Sequence, residues 1–163
     1  MGNCLPHRHV VKYHPNGRKA RESHFEYGTP VGEWGQWYEN GQLKKLTVFD
    51  GGRMEKQSEW FDTGLPSYEY RVVGGRRHYL TYHENGTPSE QWSTIVVSMW
   101  TSGRENPGDV PMYEEMRCGL HRWWDVDGDL IKTEMEGSLR LGSNPSDEPL
   151  DGVRWWRDDG SLE

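Results

Sequence analysis

The sequence has few aliphatic residues and no long hydrophobic run. Hydrophobic residues make up 33% of its 163 residues, the mean hydropathy is −0.99, and the longest aliphatic run is Ile95–Val97. A run that short is far below the roughly 20 residues of a membrane-spanning helix. The scarcity also argues against a thick two-layer core built from Leu, Ile and Val.

Cysteine and clustered basic residues are scarce too. Cys4 and Cys118 lie far apart without CxxC spacing, so we expect free thiols in a reducing compartment. The net charge is −7 and no long Lys or Arg run occurs, which argues against a nucleic-acid ligand because phosphates need a basic surface. His7, Arg8 and His9 stand where a secretion signal would be apolar, so we expect a cytoplasmic protein.

Aromatic residues and glycine are abundant, with 9 Trp, 8 Tyr and 20 Gly. An aromatic residue followed four positions later by glycine occurs six times. The six segments are Tyr13–Gly17, Trp37–Gly41, Trp60–Gly64, Tyr82–Gly86, Trp124–Gly128 and Trp156–Gly160. The first four of these glycines are 24, 23 and 22 residues apart. A period of that size indicates stacked supersecondary units.

Each repeat has the pattern of a β-hairpin. Asn40-Gly41 tolerates positive φ, so we predict a type I′ turn there and at the equivalent positions of the other repeats. A second set of glycines, including Gly28, Gly51-Gly52 and Gly74-Gly75, lies half a period on and predicts a looser turn. The predicted fold is all-β, an elongated single-layer antiparallel meander of stacked β-hairpins with roughly ten to twelve strands.

The period breaks once, because Gly86 and Gly128 are 42 residues apart. We interpret residues 1–163 as a single repeat domain. It has hairpin repeats at about 10–90, an insertion at about 91–118 and further repeats at about 119–163. The insertion is interpreted as a long strand, a polar loop at 101–111 and a returning strand. Either two short repeats or one long repeat would fit the interval.

Side chains along a strand alternate between faces, so position relative to the turn glycine predicts a role. Four residues before the glycine the side chain is always aromatic, which predicts a structural column. Its members are Tyr13, Trp37, Trp60, Tyr82, Trp124 and Trp156. Three and five residues before the turn glycine, the side chains vary from repeat to repeat. They point to the opposite face of the sheet, and we predict that this face binds a partner. The candidate partner-binding residues, with two from the polar loop, are Tyr38, Phe61, His83, Trp123, Asp125, Trp155, Arg104 and Glu105.

One segment imitates a calcium-binding loop. Asp125, Asp127 and Asp129 alternate, and Glu136 holds the twelfth place. The sixth place, where the sharp turn needs glycine, is Leu130. The segment also fits the hairpin repeat without a metal, so we expect no calcium.

Other signs of metal binding or catalysis are weak. Cys4, His7, His9 and His14 could gather a soft metal, but their spacing matches no structural zinc pattern. A single-layer sheet also offers no deep cleft in which a nucleophile and base would be activated. We therefore expect no catalytic residues, no metal site and no cofactor.

The repeat motif resembles that of a known family. The segment Gly35–Lys44, followed by an extended stretch and Asp50-Gly51, is similar to the MORN-repeat variant of the YwqK-type antitoxin family. Tyr79–Gly86 and Arg122–Leu130 resemble the same repeat. The resemblance implies a hairpin-repeat fold without catalytic residues, and a role in neutralising a cognate toxin or in scaffolding.

This likeness covers residues 10–90 well and 119–137 and 152–163 in part, whereas 91–118 departs from it. The leading hypothesis is an antitoxin or immunity protein that sterically blocks a basic toxin, steered by acidic residues. One alternative is a protein that binds a nucleotide or sugar by stacking it on aromatic rings. Another is a membrane-associated MORN scaffold, although the −7 charge argues against anionic lipid. The two free edges of a meander would also allow a homodimer.

Overall fold

The computed structural model describes residues 6–99 and 112–136, and it confirms the all-β, single-layer antiparallel meander. Eleven strands form one sheet in the order β1 to β8, β10, β11, with β9 paired to β8. The strands are β1 (His7–Tyr13), β2 (Lys19–Glu26), β3 (Thr29–Trp37), β4 (Leu43–Asp50), β5 (Arg53–Trp60), β6 (Pro66–Val73), β7 (Arg76–Tyr82), β8 (Pro88–Met99), β9 (Met112–Arg117), β10 (Gly119–Trp124) and β11 (Leu130–Glu136). Within the described ranges, no helix is long and apolar enough to cross a membrane.

The turns at the repeat glycines are three-residue loops, so the prediction of type I′ turns at these positions is wrong. The N–H of Gly41 donates to the C=O of Tyr38 at 2.9 Å, and the N–H of Tyr38 donates to the C=O of Gln42 at 2.9 Å. Gly41 has φ 92°, but Asn40 has no positive φ, which type I′ would require. This is a type I turn closed by a glycine bulge. Asn40 instead uses its side chain, whose Oδ1 accepts from the N–H of Gln42 at 2.9 Å.

Type I′ geometry occurs at the opposite ends of the strands, where we predicted looser turns. The φ values are 52° and 85° at Gly51-Gly52, 56° and 78° at Gly74-Gly75, and 47° and 83° at Tyr27-Gly28. The residues on either side pair directly, as in Asp50 with Arg53. Two consecutive left-handed residues between paired neighbours define a two-residue hairpin loop.

Tyr27 is the described non-glycine residue with a left-handed backbone, which costs about 1–2 kcal/mol. Its side chain is 75% exposed, so its removal loses little packing. We expect Tyr27→Asn to raise the free energy of unfolding by about 0.5–1 kcal/mol in urea titrations, because asparagine tolerates this conformation. Tyr13→Asn, at another exposed tyrosine, is the control and should give no gain. Equal or lower stability of Tyr27→Asn would contradict the expectation.

The 42-residue interval is one lengthened hairpin. The first half of β8 pairs with β10, where Gln91 opposes Arg122, and the second half pairs with β9. Between β9 and β10, the N–H of Cys118 donates to the C=O of Ser93 at 2.8 Å. The two short strands therefore act as one long partner for β8. The extra residues extend the end of the hairpin that lies away from the repeat-glycine turns.

The sheet has two faces, which we define by register because paired residues share a face and neighbours alternate. The front face carries Trp34, Tyr79 and Trp92, and the back face carries the aromatic column, including Trp37 and Trp60. Most of the buried residues lie in the middle of the two faces, whereas Trp124 is buried where β10 enters its turn. The buried residues are Ser23, Thr47, Tyr70, Thr94 and His121 on the front and Ser58, Leu80, Gln91 and Trp124 on the back, and Cys118 is buried between β9 and β10.

The aromatic column lies where each strand enters its turn. The register shifts between Gln36 and Trp37, and the shift recurs in each described repeat. Exposure ranges from 65% at Tyr13, near the edge of the sheet, to 3% at Trp124. The Trp37 indole lies over Gly35, where a Cβ would be 2.2 Å from the ring. Gly35 therefore makes room for the Trp37 ring.

Candidate interaction surface

Five rings cross the front face from β6 to β10, and we call them the ring row. Tyr70, Tyr79 and Trp92 are register partners on three neighbouring strands, and His121 and Trp123 follow on β10. Successive centroids are 5.3, 4.9, 6.0 and 3.6 Å apart. The Tyr79 and Trp92 rings are stacked, at an angle of 5°. The first three spacings lie in the favourable range of aromatic pairs, so the row is a continuous aromatic surface.

Glu115 anchors β9 to the ring row. Its carboxylate accepts hydrogen bonds from the hydroxyls of Thr94 and Tyr79 and pairs with Arg77 at 2.9 Å. These bonds, from Thr94 first and Tyr79 second, hold the pKa of Glu115 below its usual value. Burial, and then the bond to Glu115, raises the pKa of Tyr79. At neutral pH the carboxylate is therefore charged, and the tyrosine hydroxyl keeps its proton and donates it.

His121 is the most deeply buried member of the row, with 1% of its surface exposed. Its Nε2 lies 2.7 Å from Oε1 of Glu90, and its Nδ1 lies 3.3 Å from Nη1 of Arg117. Because a guanidinium can only donate, Nδ1 accepts and Nε2 carries the proton that is donated to Glu90. The imidazole thus links a carboxylate to a guanidinium, and its ring stacks on Trp123.

Cations lie over the rings of the row. The Arg117 guanidinium is 5.7 Å from the centroid of Trp92, and the Lys132 ammonium is 4.5 Å from that of Trp123. Such contacts stabilise by about 0.5–1 kcal/mol each at exposed sites. Since acidic and basic groups both flank the rings, this surface has mixed charge despite the net charge of −7.

A second ring group lies nearer the start of the sheet. Trp34 contacts Phe25 and Phe49, each with centroids 4.8 Å apart. Its Nε1 donates to the C=O of His24 at 2.9 Å, and the Arg21 guanidinium is 5.4 Å from its ring. The front face therefore carries two aromatic groups, of which the ring row is the longer.

The predicted binding residues Tyr38 and His83 connect neighbouring repeats. The Tyr38 hydroxyl donates to the C=O of Trp60 at 2.9 Å, and Nε2 of His83 lies 3.1 Å from the C=O of Trp124. His14 makes the same contact one repeat before Tyr38. These bonds give the position three before the glycine a structural role. Partner binding by Tyr38 and His83 stays a prediction.

The turn asparagines add a second link between repeats. Nδ2 of Asn40 donates to a C=O in the next turn at 3.1 Å, and Asn16 and Asn85 make equivalent bonds at 2.8 and 2.6 Å. The third turn has Thr63 in place of asparagine and Phe61 in place of Tyr38 or histidine. Its junction with the fourth turn therefore lacks the groups that form these two bonds.

Tyr38 and Phe61 provide a matched test of the turn links. Tyr38→Phe should lower the free energy of unfolding by about 1 kcal/mol, because one intramolecular hydrogen bond is lost while the ring stays. Phe61→Tyr should raise it by about 0.5–1 kcal/mol, because the new hydroxyl can reach the next turn. Thermal unfolding followed by circular dichroism measures both. Equal stability of Tyr38→Phe and the unchanged chain would show that the link contributes nothing.

The remaining predicted residues fall into three groups. Trp123 belongs to the ring row. Oδ1 of Asp125 accepts from the N–H groups of Asp127 at 3.0 Å and Asp129 at 2.9 Å, so this carboxylate, part of the calcium-like motif, caps its own turn. Those outside the described residues are Arg104, Glu105, Trp155 and Trp156.

Tyr70, Tyr79, Trp92 and His121 were not predicted as site residues. The prediction rests on the positions next to the turns, where aromatic residues recur in every repeat. The missed residues lie six after or seven before a turn glycine. The other described repeats carry Ser23, Thr47 and Glu134 six after the glycine, and Val10, Trp34 and Gln57 seven before it. Rings occupy these two positions in some repeats only, so the periodic signal is incomplete, and register between particular strands brings these four rings together. In comparisons with known proteins, no family model and no curated protein matches this chain.

Proposed function

We propose that this chain is a non-catalytic protein-binding module that receives its partner on the front face, over the ring row. We further propose that the partner is a toxin, which the chain neutralises by steric occlusion. The observation that carries the first proposal is the continuous row of five rings on an open sheet. Tyr79, Trp92 and Trp123 are partly exposed, whereas Tyr70 and His121 are buried. Partly exposed aromatic surface with a charged rim is typical of protein interfaces, and Trp, Tyr and Arg dominate their binding energy.

The shape of the surface favours a macromolecule over a small ligand. The ring row lies along a sheet, whereas small-molecule sites are concave pockets of about 300–1,000 Å³. A cavity on the back face, lined by residues such as Arg71, His78 and Leu80, has about 50 Å³. That volume holds a few water molecules. A nucleotide or sugar would therefore stack on an open surface, which a protein can cover more fully.

Two features support a toxin as the partner. The repeat resembles that of the YwqK-type antitoxin family, and the net charge of −7 would attract a basic protein. At the ring row itself, Glu90 and Glu115 alternate with Arg77, Arg117 and Lys132. We therefore expect charge to steer the encounter and the aromatic rings to supply most of the affinity.

The test begins with capture of a partner from native lysate by the tagged chain. The captured protein must inhibit growth when expressed alone and lose that effect when this chain is co-expressed. Affinity is then measured with purified proteins. Trp92→Ala on the front face should weaken binding by about 30-fold, the effect of losing one hot-spot side chain. Trp60→Ala, a half-buried tryptophan on the back face, is the matched control and should change affinity less than threefold.

Lys132→Glu supplies a second front-face test that keeps every ring. Because the proposed partner is basic, the added negative charge should strengthen binding at low salt. It should not lower the melting temperature by more than a few degrees, because Lys132 is half-exposed. Loss of binding in Trp60→Ala with normal binding in Trp92→Ala would reject the front face. A captured partner that does not inhibit growth would reject the toxin while leaving the binding face in place.

A further inference from the structure

Three metal-binding side chains meet on the back face at the first hairpin. His9 on β1 and His24 on β2 are register partners, and their rings stack with centroids 4.5 Å apart at an angle of 3°. Glu22 lies on the same face, with Oε1 2.7 Å from Nε2 of His9. One donor atom from each of the three residues lies within 4.8 Å of the other two. Two imidazoles and a carboxylate therefore converge from two adjacent strands.

We propose that His9, Glu22 and His24 form a binding site for a divalent transition metal, with Zn²⁺ as the ion expected to bind. Two histidines and one glutamate are a donor set that zinc uses in proteins, with a further position left for water or another ligand. Nitrogen-rich donors also disfavour Mg²⁺ and Ca²⁺, which prefer oxygen ligands.

The backbone needs no rearrangement to bring the donors to an ion. Zinc bonds of about 2.0–2.2 Å place tetrahedral donors roughly 3.3 Å apart, and the three side-chain donors are already within 4.8 Å of one another. Rotation of the two stacked imidazoles would turn their lone pairs toward a common point. The ion would then replace the hydrogen bond between His9 and Glu22.

The surroundings hold the carboxylate and leave the site open. Lys19 Nζ lies 2.7 Å from Oε2 of Glu22 and holds this oxygen in place, while Oε1 faces His9. Partners in the outer shell of a metal site commonly orient the ligands in this way. An open cavity of about 260 Å³ is lined by His7, His9, His24 and Glu26, among others. His7 Nδ1 and Glu26 Oε1 are 3.4 Å apart there. The cavity would give an ion access from solvent to His9 and His24.

Linear spacing conceals this site, and the sequence analysis accordingly expected no metal. It considered His9 together with Cys4, His7 and His14, all within the N-terminal segment. The partners that the fold supplies are instead Glu22 and His24, from the opposite side of the first turn. Cross-strand pairing, which is invisible in the spacing, creates the donor set.

Isothermal titration of the full chain with ZnCl₂ tests the proposal. We expect one saturable ion per chain, and at least tenfold weaker binding in His9→Ala, in His24→Ala and in Glu22→Gln. Even an outer-shell partner costs about 10–100-fold, so a direct ligand should cost no less. Zinc should also raise the melting temperature of the unchanged chain but not that of the His9→Ala, His24→Ala double variant.

Two controls separate this site from incidental binding by the N-terminal segment. Cys4→Ser and His14→Gln should keep affinity within threefold, because neither residue belongs to the donor set. Absence of saturable zinc binding by the unchanged chain would overturn the proposal. So would unchanged affinity in the double histidine variant, or loss of binding in Cys4→Ser or His14→Gln. Circular dichroism of each variant confirms that the sheet is retained.

Discussion

Replacing His121 by alanine should lower the free energy of unfolding by about 3 kcal/mol, because each hydrogen bond to a charged group contributes roughly 1.5–3 kcal/mol. The side chain is 2% exposed and links Glu90 to Arg117. The combined loss from the two hydrogen bonds stays near the lower end of the expected range, because the Glu90 side chain is 32% exposed and can regain water. The vacated space between Trp92 and Trp123 adds a packing loss.

Urea unfolding of His121→Ala measures this cost, and His24→Ala is the matched control. His24 also stacks on another ring, but it belongs to the first hairpin near the edge of the sheet. In metal-free buffer its replacement should cost less than about 1 kcal/mol, as surface substitutions usually do. If the two variants were equally stable, the buried Glu90–His121–Arg117 link would not be a main contributor to the sheet.

Replacing Gly35 by alanine should cost about 2–3 kcal/mol, in the upper range for overpacked sites. A Cβ at Gly35 would lie 2.2 Å from the Trp37 ring, and further ring atoms would lie at 2.7 and 2.8 Å. The indole would have to leave its place over the strand. This effect arises from a collision with one identified side chain, since the Gly35 backbone does not have positive φ.

A double-mutant cycle isolates that collision. In a Trp37→Ala background the ring is absent, so Gly35→Ala should be neutral or should stabilise by up to about 1 kcal/mol, as alanine does over glycine in a strand. The coupling between the two substitutions should then be about 2–4 kcal/mol, at or slightly above the upper end of the range for residues in direct contact. An equal cost of Gly35→Ala in both backgrounds would mean that Trp37 is not the obstacle.

Periodicity predicts much of this fold because each repeat carries the residues that locate its own turns. The aromatic residue and the glycine four positions later locate Trp37 and Gly41 at a turn, and the half-period glycines locate the opposite turn at Gly51-Gly52. Turn type was predicted in the wrong places. Asn40 bonds through its side chain to its own turn and to the next one, which favours the three-residue loop. The adjacent glycines then take the two-residue loop.

The candidate surface could be predicted only in part. Trp123 lies in the ring row, as its position five before a glycine allowed. Tyr79 and Trp92 stack because β7 and β8 pair in one particular register, and Glu115 reaches them from the lengthened hairpin. Neither contact repeats along the chain. Similarly, the group of His9, Glu22 and His24 depends on the register of β1 with β2.

Side-chain oxidative footprinting of the chain with its captured partner tests the front-face assignment most directly, because aromatic side chains report on both faces. We expect Tyr79, Trp92 and Trp123 to be protected from oxidation in the complex, while Trp37 and Trp60 keep the reactivity of the free chain. Protection of Trp37 and Trp60 with no change at the ring row would contradict the proposal and place the partner on the back face.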